Sequence, residues 1–179
     1  LLNVVDTAMV GSLGDVALAA TGIGGFANFM AVSFIMGLSA GVQAIAARRL
    51  GEDRHDVLAV ALNAGLLLAV VWAVPWTALL HGLAPHIFTF LVNDPAVAAQ
   101  AVPYFQVRLL AALGVGINFA FRGYWNGINQ PKLYMGTLIV SHVTNLFLNW
   151  VLIYGNLGAP ALGTLGAGMA SAIATYVGV

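Results

Sequence analysis

Of the 179 residues, 61% are hydrophobic and only 7% are charged, against roughly 25% charged in a soluble domain, so the chain reads as an all-α membrane protein with several spans. Six basic residues balance six acidic ones, which gives no reason to expect nucleic acid as a partner. The absence of cysteine excludes disulfides and thiolate metal sites, and no polar low-complexity run suggests disorder.

The opening stretch, Leu1-Leu2-Asn3-Val4-Val5-Asp6-Thr7-Ala8-Met9-Val10-Gly11, reads as the end of a membrane helix with a carboxylate set inside it. Its apolar run of about 11–13 residues falls short of the roughly 20 needed to span a bilayer. No basic n-region or small-residue cleavage site marks a signal peptide. A clipped first span over 1–13 is therefore expected, in a fragment of a longer protein. An ionised Asp at a helix centre costs about 2.5–3.5 kcal/mol on insertion scales. Asp6 must then face protein or a water-filled cavity, and its default reading is functional; the alternative places it at the interface as a cap for the next helix. Asn3, Asp6 and Thr7 share one helix face by their i, i+3, i+4 spacing.

Gly11 to Asp15 is a turn, and a second span over 16–50 ends at Arg48 and Arg49. At 1.5 Å per residue it is longer than a bilayer core, so it must tilt, kink or project. Gly22, Gly24 and Gly25 are the candidate kink sites. Gly37 and Gly41, four apart, offer a small-residue face for close helix packing. After the polar loop Gly51 to Asp56 comes a third span over 57–91, with Pro75 inside it and the part beyond Leu80 as an outer extension. Asp94 caps a fourth span over 95–125, Pro95 fits its first position, and Pro103 is the expected bend. A fifth span covers 132–154, and a sixth, after an uncharged Gly/Pro loop, covers 164–179.

Arg48, Arg49 and Arg54 lie between spans two and three, and Arg122 and Lys132 flank the loop between four and five; the other three loops carry no Lys or Arg. The positive-inside rule makes those two loops cytoplasmic and puts Asp6 nearer the outer face. Trp72, Trp76, Trp150 and Tyr154 then mark the outer interface, and Tyr124, Trp125 and Tyr134 the inner one. Arg108 is the exception within span four. It fits either the outer interface or a buried pair, and the sequence leaves both open.

Span five carries His142, Asn145 and Asn149 at i, i+3, i+7, with Ser141 adjacent, as one polar stripe. Counting inward from Tyr154, Asn149 and Asn145 lie roughly 8 and 14 Å down. In span six Ser171, four before Thr175, lies roughly 14 Å below Leu162. Asp6 falls in the same slab. These groups can line one cavity and coordinate an ion, or serve as interhelical glue worth about 0.6 kcal/mol each. Ser171 and Thr175 suit the second role better, Asn145 and Asn149 suit both, and His142 suits a satisfied interior histidine. The candidate cation, proton or substrate-binding residues are Asp6, Asn145, Asn149 and Ser171, with Asp6 also a candidate Na⁺ ligand. No Walker-type loop, HExxH or CxxC is present. No catalytic residue or cofactor is therefore expected, and an ion gradient acting through Asp6 replaces nucleotide as the energy source. A membrane-embedded enzyme would need acid, base or metal ligands clustered at one depth, which a lone Asp among amides does not supply.

Four segments carry a family resemblance: Val5-Asp6-Thr7-Ala8-Met9-Val10-Gly11; Arg122-Gly123 to Gln130-Pro131-Lys132; Asn145 to Asn149-Trp150 and on to Tyr154-Gly155; and Gly158-Ala159-Pro160 to Gly163, leading into Gly166-Ala167-Gly168. Their order and spacing resemble the multidrug and toxic compound extrusion (MATE) transporters, in particular the NorM-like branch. The resemblance implies twelve helices in two six-helix lobes, of which residues 1–179 form the N-terminal one and the C-terminal lobe is absent. It implies multidrug efflux: cationic amphipathic drugs exported in exchange for Na⁺ or H⁺, by a monomer when complete, in the inner (plasma) membrane. Asp6 matches the family's first-helix carboxylate, and Asn145 and Asn149 match fifth-helix positions lining the lobe cavity. Some relatives outside the branch have Asp where Asn149 stands, which leaves Asp6 as the one deep carboxylate here. The branch is also associated with acidic residues in the other lobe. The alternative within the larger group is a flippase for lipid-linked oligosaccharide or peptidoglycan precursors. That would need cationic groups for a diphosphate, for which only Arg108 and Arg122 are candidates. The isolated lobe is expected to be inert without its partner half.

Overall fold

The computed structural model describes residues 2–179, so Leu1 of the opening stretch lies outside the described residues. The described residues form α1 (Leu2–Val10), α2 (Asp15–Val32), α3 (Met36–Gly51), α4 (Leu58–Leu91), α5 (Pro95–Leu109), α6 (Ala112–Gly127), α7 (Pro131–Tyr154) and α8 (Gly163–Val177). These map onto six expected spans, because span two is α2 followed by α3 and span four is α5 followed by α6. Three stretches are long and apolar enough to cross a membrane: Asp15–Gly51, His55–Leu91 and Pro131–Tyr154. The bent α5–α6 pair makes a fourth, while α1 and α8 are shorter. The Asp94 cap is present, its carboxylate accepting from the Ala96 amide at 2.8 Å with Pro95 at the helix start.

The breaks fall elsewhere than the glycines and prolines suggested. Gly22, Gly24 and Gly25 lie inside an uninterrupted α2, and the interruption comes at a 3-10 turn over Ser33–Ile35. There the Ser33 hydroxyl donates to the Met30 carbonyl (2.9 Å). The Ala31 carbonyl, just before the turn, accepts the Trp76 indole N–H at 2.8 Å. The rings of Phe34, Trp72 and Trp76 cluster beside it, with centroids 4.4 to 5.8 Å apart. Trp76 thus gives a backbone carbonyl beside the break a partner from another helix.

The second break follows the same logic. α5 continues past Pro103, and the chain bends by 45° between Leu109 and Ala112. The amides of Leu110 and Ala111 reach back only three residues, to Val107 and Arg108. The Leu109 carbonyl accepts from the Thr77 hydroxyl at 3.2 Å and the Leu110 carbonyl from the Tyr176 hydroxyl at 2.6 Å. Pro75 and Pro85 likewise lie within an unbroken α4. In membrane helices neighbouring side chains re-satisfy freed backbone groups, so the partner helices, more than local helix-breakers, decide where a span breaks.

The close-packing face also differs from expectation. Gly37 and Gly41 have nothing within 4 Å of where a Cβ would stand. The tight seam of α3 instead runs through Ser39 and Ala46 against α6, while Val42 meets Gly65 of α4. A Cβ at Gly123 would run into the Ser39 carbonyl, and one at Gly127 would stand 2.8 Å from both Ala46 Cβ and the Gln43 carbonyl oxygen. Backbone meets backbone here because the residues between are small. Elsewhere the core is apolar, with Phe88, Phe105 and Leu109 buried between α2, α4 and α5.

Candidate functional site

Asp6 sits on α1 with no solvent exposure. It is reached by α5, α7 and α8. Asn145 and Asn149 stand one turn apart on α7, so their amides project to one side at successive depths; both are fully buried. Ser171 projects from α8 and is 1% exposed. Tyr104 and Arg108, also one turn apart, come from the last two turns of α5. The Tyr104 ring lies in a slot cleared by two glycines: a Cβ at Gly24 would stand 2.7 Å from its Cδ1, and one at Gly168 would stand 3.2 Å from its Cδ2. Gly24 therefore makes room for a site residue.

Both carboxylate oxygens are engaged. Oδ1 accepts from Asn145 Nδ2 (3.2 Å) and Asn149 Nδ2 (2.9 Å). Oδ2 accepts from Ser171 Oγ (2.6 Å), from Arg108 Nη1 (2.9 Å) and at longer range from the Tyr104 hydroxyl (3.5 Å). The shell is cross-linked, since Asn145 Nδ2 also donates to Ser171 Oγ at 2.9 Å. The second arm of the guanidinium, Nη2, donates to Asn3 Oδ1 at 2.7 Å, and Tyr104 lies beneath it, 5.9 Å from ring centroid to Cζ. One acceptor in the shell is left over: Asn149 Oδ1 is buried with no hydrogen-bond partner. Such an orphan costs about 1–3 kcal/mol, which a cation or a proton-bearing group beside Asp6 would relieve.

The four residues singled out in the sequence thus meet at one point. Ser171, which suited a gluing role, bonds the carboxylate directly. Thr175 does not join: its hydroxyl donates to the Ser171 carbonyl at 2.8 Å. Thr7 likewise turns to its own helix, on Asn3 O. The buried stripe of α7 runs through Ser141, Asn145 and Asn149, leaving out His142. The His142 Nδ1 lies 2.8 Å from the Leu138 carbonyl, and its Nε2 is buried without a partner. No group of three or more His, Cys, Asp or Glu side chains arranged to hold a metal ion occurs among the described residues. A coupling cation here would rest on one carboxylate plus amide and hydroxyl oxygens, which are hard ligands suited to an alkali ion.

Sequence reasoning missed Tyr104 altogether and left Arg108 open. The Arg108 side chain is only 9% exposed, so of the two readings it is the buried pair that holds. The signal was available, because a guanidinium inside an apolar span needs an anion and Asp6 is the only carboxylate predicted at depth.

Residues 1–151 match the MatE family profile. Over 97% of its length the chain is 31% identical to the probable multidrug resistance protein NorM of Mesorhizobium japonicum. The chain spans about 38% of the length of that and other curated relatives. Two solved structures, described as the inward-facing and the outward-facing conformation of a multidrug resistance MATE family transporter of the MOP superfamily, share the fold at 24% identity. Each gives a TM-score of 0.87 over 99% of this chain, and the chain covers 39% and 38% of them respectively. The chain belongs to the MatE family.

Proposed function

We propose that this chain works as one lobe of a secondary multidrug transporter, exporting cationic amphipathic compounds in exchange for Na⁺ or H⁺ at Asp6. The observation that carries the reading is a carboxylate with no solvent exposure, held in place by donors from three other helices. A buried charge is costly in a membrane protein and characteristically marks an ion or substrate pathway. Asn149 Oδ1, buried and unpartnered, adds an acceptor ready for a cation. A drug cation and a coupling cation cannot both take the same carboxylate, so binding of one releases the other. Exchange becomes productive when the two lobe arrangements hold Asp6 with different affinity. The equal fit of this fold to an inward-facing and an outward-facing structure supports a lobe that moves as a unit between such arrangements.

The flippase alternative is disfavoured by the state of its two arginines. Arg108 is tied to Asp6, and Arg122 lies against the rings of Phe119 and Tyr134 at 5.5 and 5.6 Å. Arg122 is exposed, but fourteen residues along a span separate it from Arg108, so the two do not converge on one diphosphate. The test of efflux is Asp6→Asn in the complete transporter, reconstituted in vesicles with an imposed Na⁺ or pH gradient and a fluorescent lipophilic cation as cargo. Ion-driven efflux is expected to disappear, and the gradient that drives the parent protein identifies the ion. Undiminished efflux by the Asn variant sinks the proposal.

A further inference from the structure

We propose that Arg108 is a tethered counter-cation: it occupies the Asp6 carboxylate between transport events, and an incoming cation must displace it. This rests on Asp6 being the exchange site. Three observations on the structure lead to it. First, the guanidinium is held at two points, Nη1 on Asp6 Oδ2 (2.9 Å) and Nη2 on Asn3 Oδ1 (2.7 Å). Losing the first bond therefore leaves the head anchored by the second, close enough to return. Second, Asp6 itself is sealed while Arg108 keeps a small exposed edge, 9% of its side chain. The Arg108 side chain is thus the less sealed partner of the pair. Third, Arg108 lies at the end of α5, and its own carbonyl takes the Ala111 amide at the bend into α6. The backbone beneath it is where span four bends by 45° and the Leu110 and Ala111 amides reach back only three residues, so the side chain's base is tied to the element that would change angle.

Charge arithmetic gives the consequence. Asp6 and Arg108 sum to zero, so the paired site carries no net charge to hold a cation. A ligand cation gains the carboxylate only by freeing the guanidinium, which stays nearby and repels it. Arg108 thus sets a low affinity for cations at Asp6 and speeds their release, which suits an exporter that must let go of its cargo. Neutral analogues of the same shape have nothing to offer the carboxylate in exchange for the guanidinium and do not compete.

The test measures equilibrium binding of tetraphenylphosphonium, together with its efflux rate, in the complete transporter carrying Arg108→Gln, Arg108→Lys, Asp6→Asn or the Asp6→Asn/Arg108→Gln pair. Arg108→Gln is expected to bind the probe at least tenfold tighter and to export it more slowly. Arg108→Lys, which keeps the charge, stays within a few-fold of the parent, and the double variant loses the gain. Because a carboxylate stripped of its partner can prevent folding, Asn3→Ala is measured alongside. It keeps both charges and removes only the second anchor, and a several-fold tighter binding is expected. Binding unchanged or weaker in folded Arg108→Gln, or in Asn3→Ala where the former does not fold, overturns the tethered counter-cation and makes Arg108 a structural clamp. If Asp6→Asn abolishes ion-driven efflux while these variants fail to tighten, the counter-cation falls and the antiport site stands. Normal efflux by Asp6→Asn removes both.

Discussion

Around Asp6, four helices meet through polar side chains; where α3 meets α6, two helices meet through almost none. The first junction holds a carboxylate, a guanidinium, a phenol, two amides and a hydroxyl, all with little or no exposure. The second brings the backbone of Ser39 and Gln43 against Gly123 and Gly127. The polar junction is expensive, because desolvating two charges is repaid only when every bond is made. Under the proposed antiport it is also exchangeable, since the bonds to Asp6 would be handed to an incoming ion. The glycine seam is the reverse: its energy lies in many small contacts at fixed separation, and it has nothing to exchange. Under the proposed antiport, the polar junction is where partners would change and the glycine seam is what would keep the lobe moving as a unit.

Substitutions at the two junctions separate these roles. The largest effect is expected for Asp6→Ala. It removes one partner of a buried ion pair and strands Arg108, a loss of about 3–5 kcal/mol. Thermal unfolding of the complete transporter in detergent should show a much lower midpoint than for Asp6→Asn, which keeps an oxygen for Arg108 and Ser171. If Asp6→Ala and Asp6→Asn melt together at the parent's midpoint, the ion pair contributes nothing and the comparison fails on its polar side.

Next is Gly123→Val. Overpacking costs typically 1–3 kcal/mol, and this site belongs at the upper end, about 3 kcal/mol, because the obstacle is the Ser39 backbone and no rotamer change relieves it. The signature that distinguishes it from the Asp6 variants is functional. Fewer molecules fold, but those that do bind a lipophilic cation with the parent's affinity. A changed dissociation constant in the folded fraction would show that the seam and the carboxylate site are coupled.

How far the sequence disclosed these two junctions also differs, for a physical reason. Asp6, Asn145, Asn149 and Ser171 were legible because burial cost and helical rise together place them at one depth. Arg108 and Tyr104 required knowing which helix lies beside α1. That adjacency joins residues 102 and 98 positions apart, and no periodicity within a single helix records it. The breaks at Ser33–Ile35 and Leu110–Ala111 were illegible for the same reason. Trp76, Thr77 and Tyr176, on other helices, satisfy the carbonyls that make them tolerable. Glycines misled twice. Gly24 makes room for Tyr104, and the α3–α6 seam uses Gly123 and Gly127, whereas the Gly37 and Gly41 spacing faces nothing within the described residues.

A smaller effect is expected at the first break. Trp76→Phe keeps a ring beside Phe34 and Trp72 but removes the N–H that serves the Ala31 carbonyl. Losing one neutral hydrogen bond costs about 1 kcal/mol, seen as a modest fall in unfolding midpoint. Faster amide exchange should be confined to the residues around Ser33–Ile35. Exchange that rises equally across α2 and α3 would show that the break is not held by this bond.

The smallest effect, of opposite sign, belongs to Gly37→Ala and Gly41→Ala. Both glycines sit inside α3 with open space where a methyl would go. Replacing a mid-helix glycine by alanine is worth roughly 0.5–1 kcal/mol in backbone entropy, so each variant should melt slightly above the parent. The pair also sharpens the division between the two junctions, because Gly123 and Gly127 are chemically the same residue in the same kind of helix. If Gly41→Ala in the complete transporter destabilises as Gly123→Val does, a surface outside residues 2–179 packs on that face of α3. The seam would then have a second side, and the open flank of α3 would be a packing interface after all.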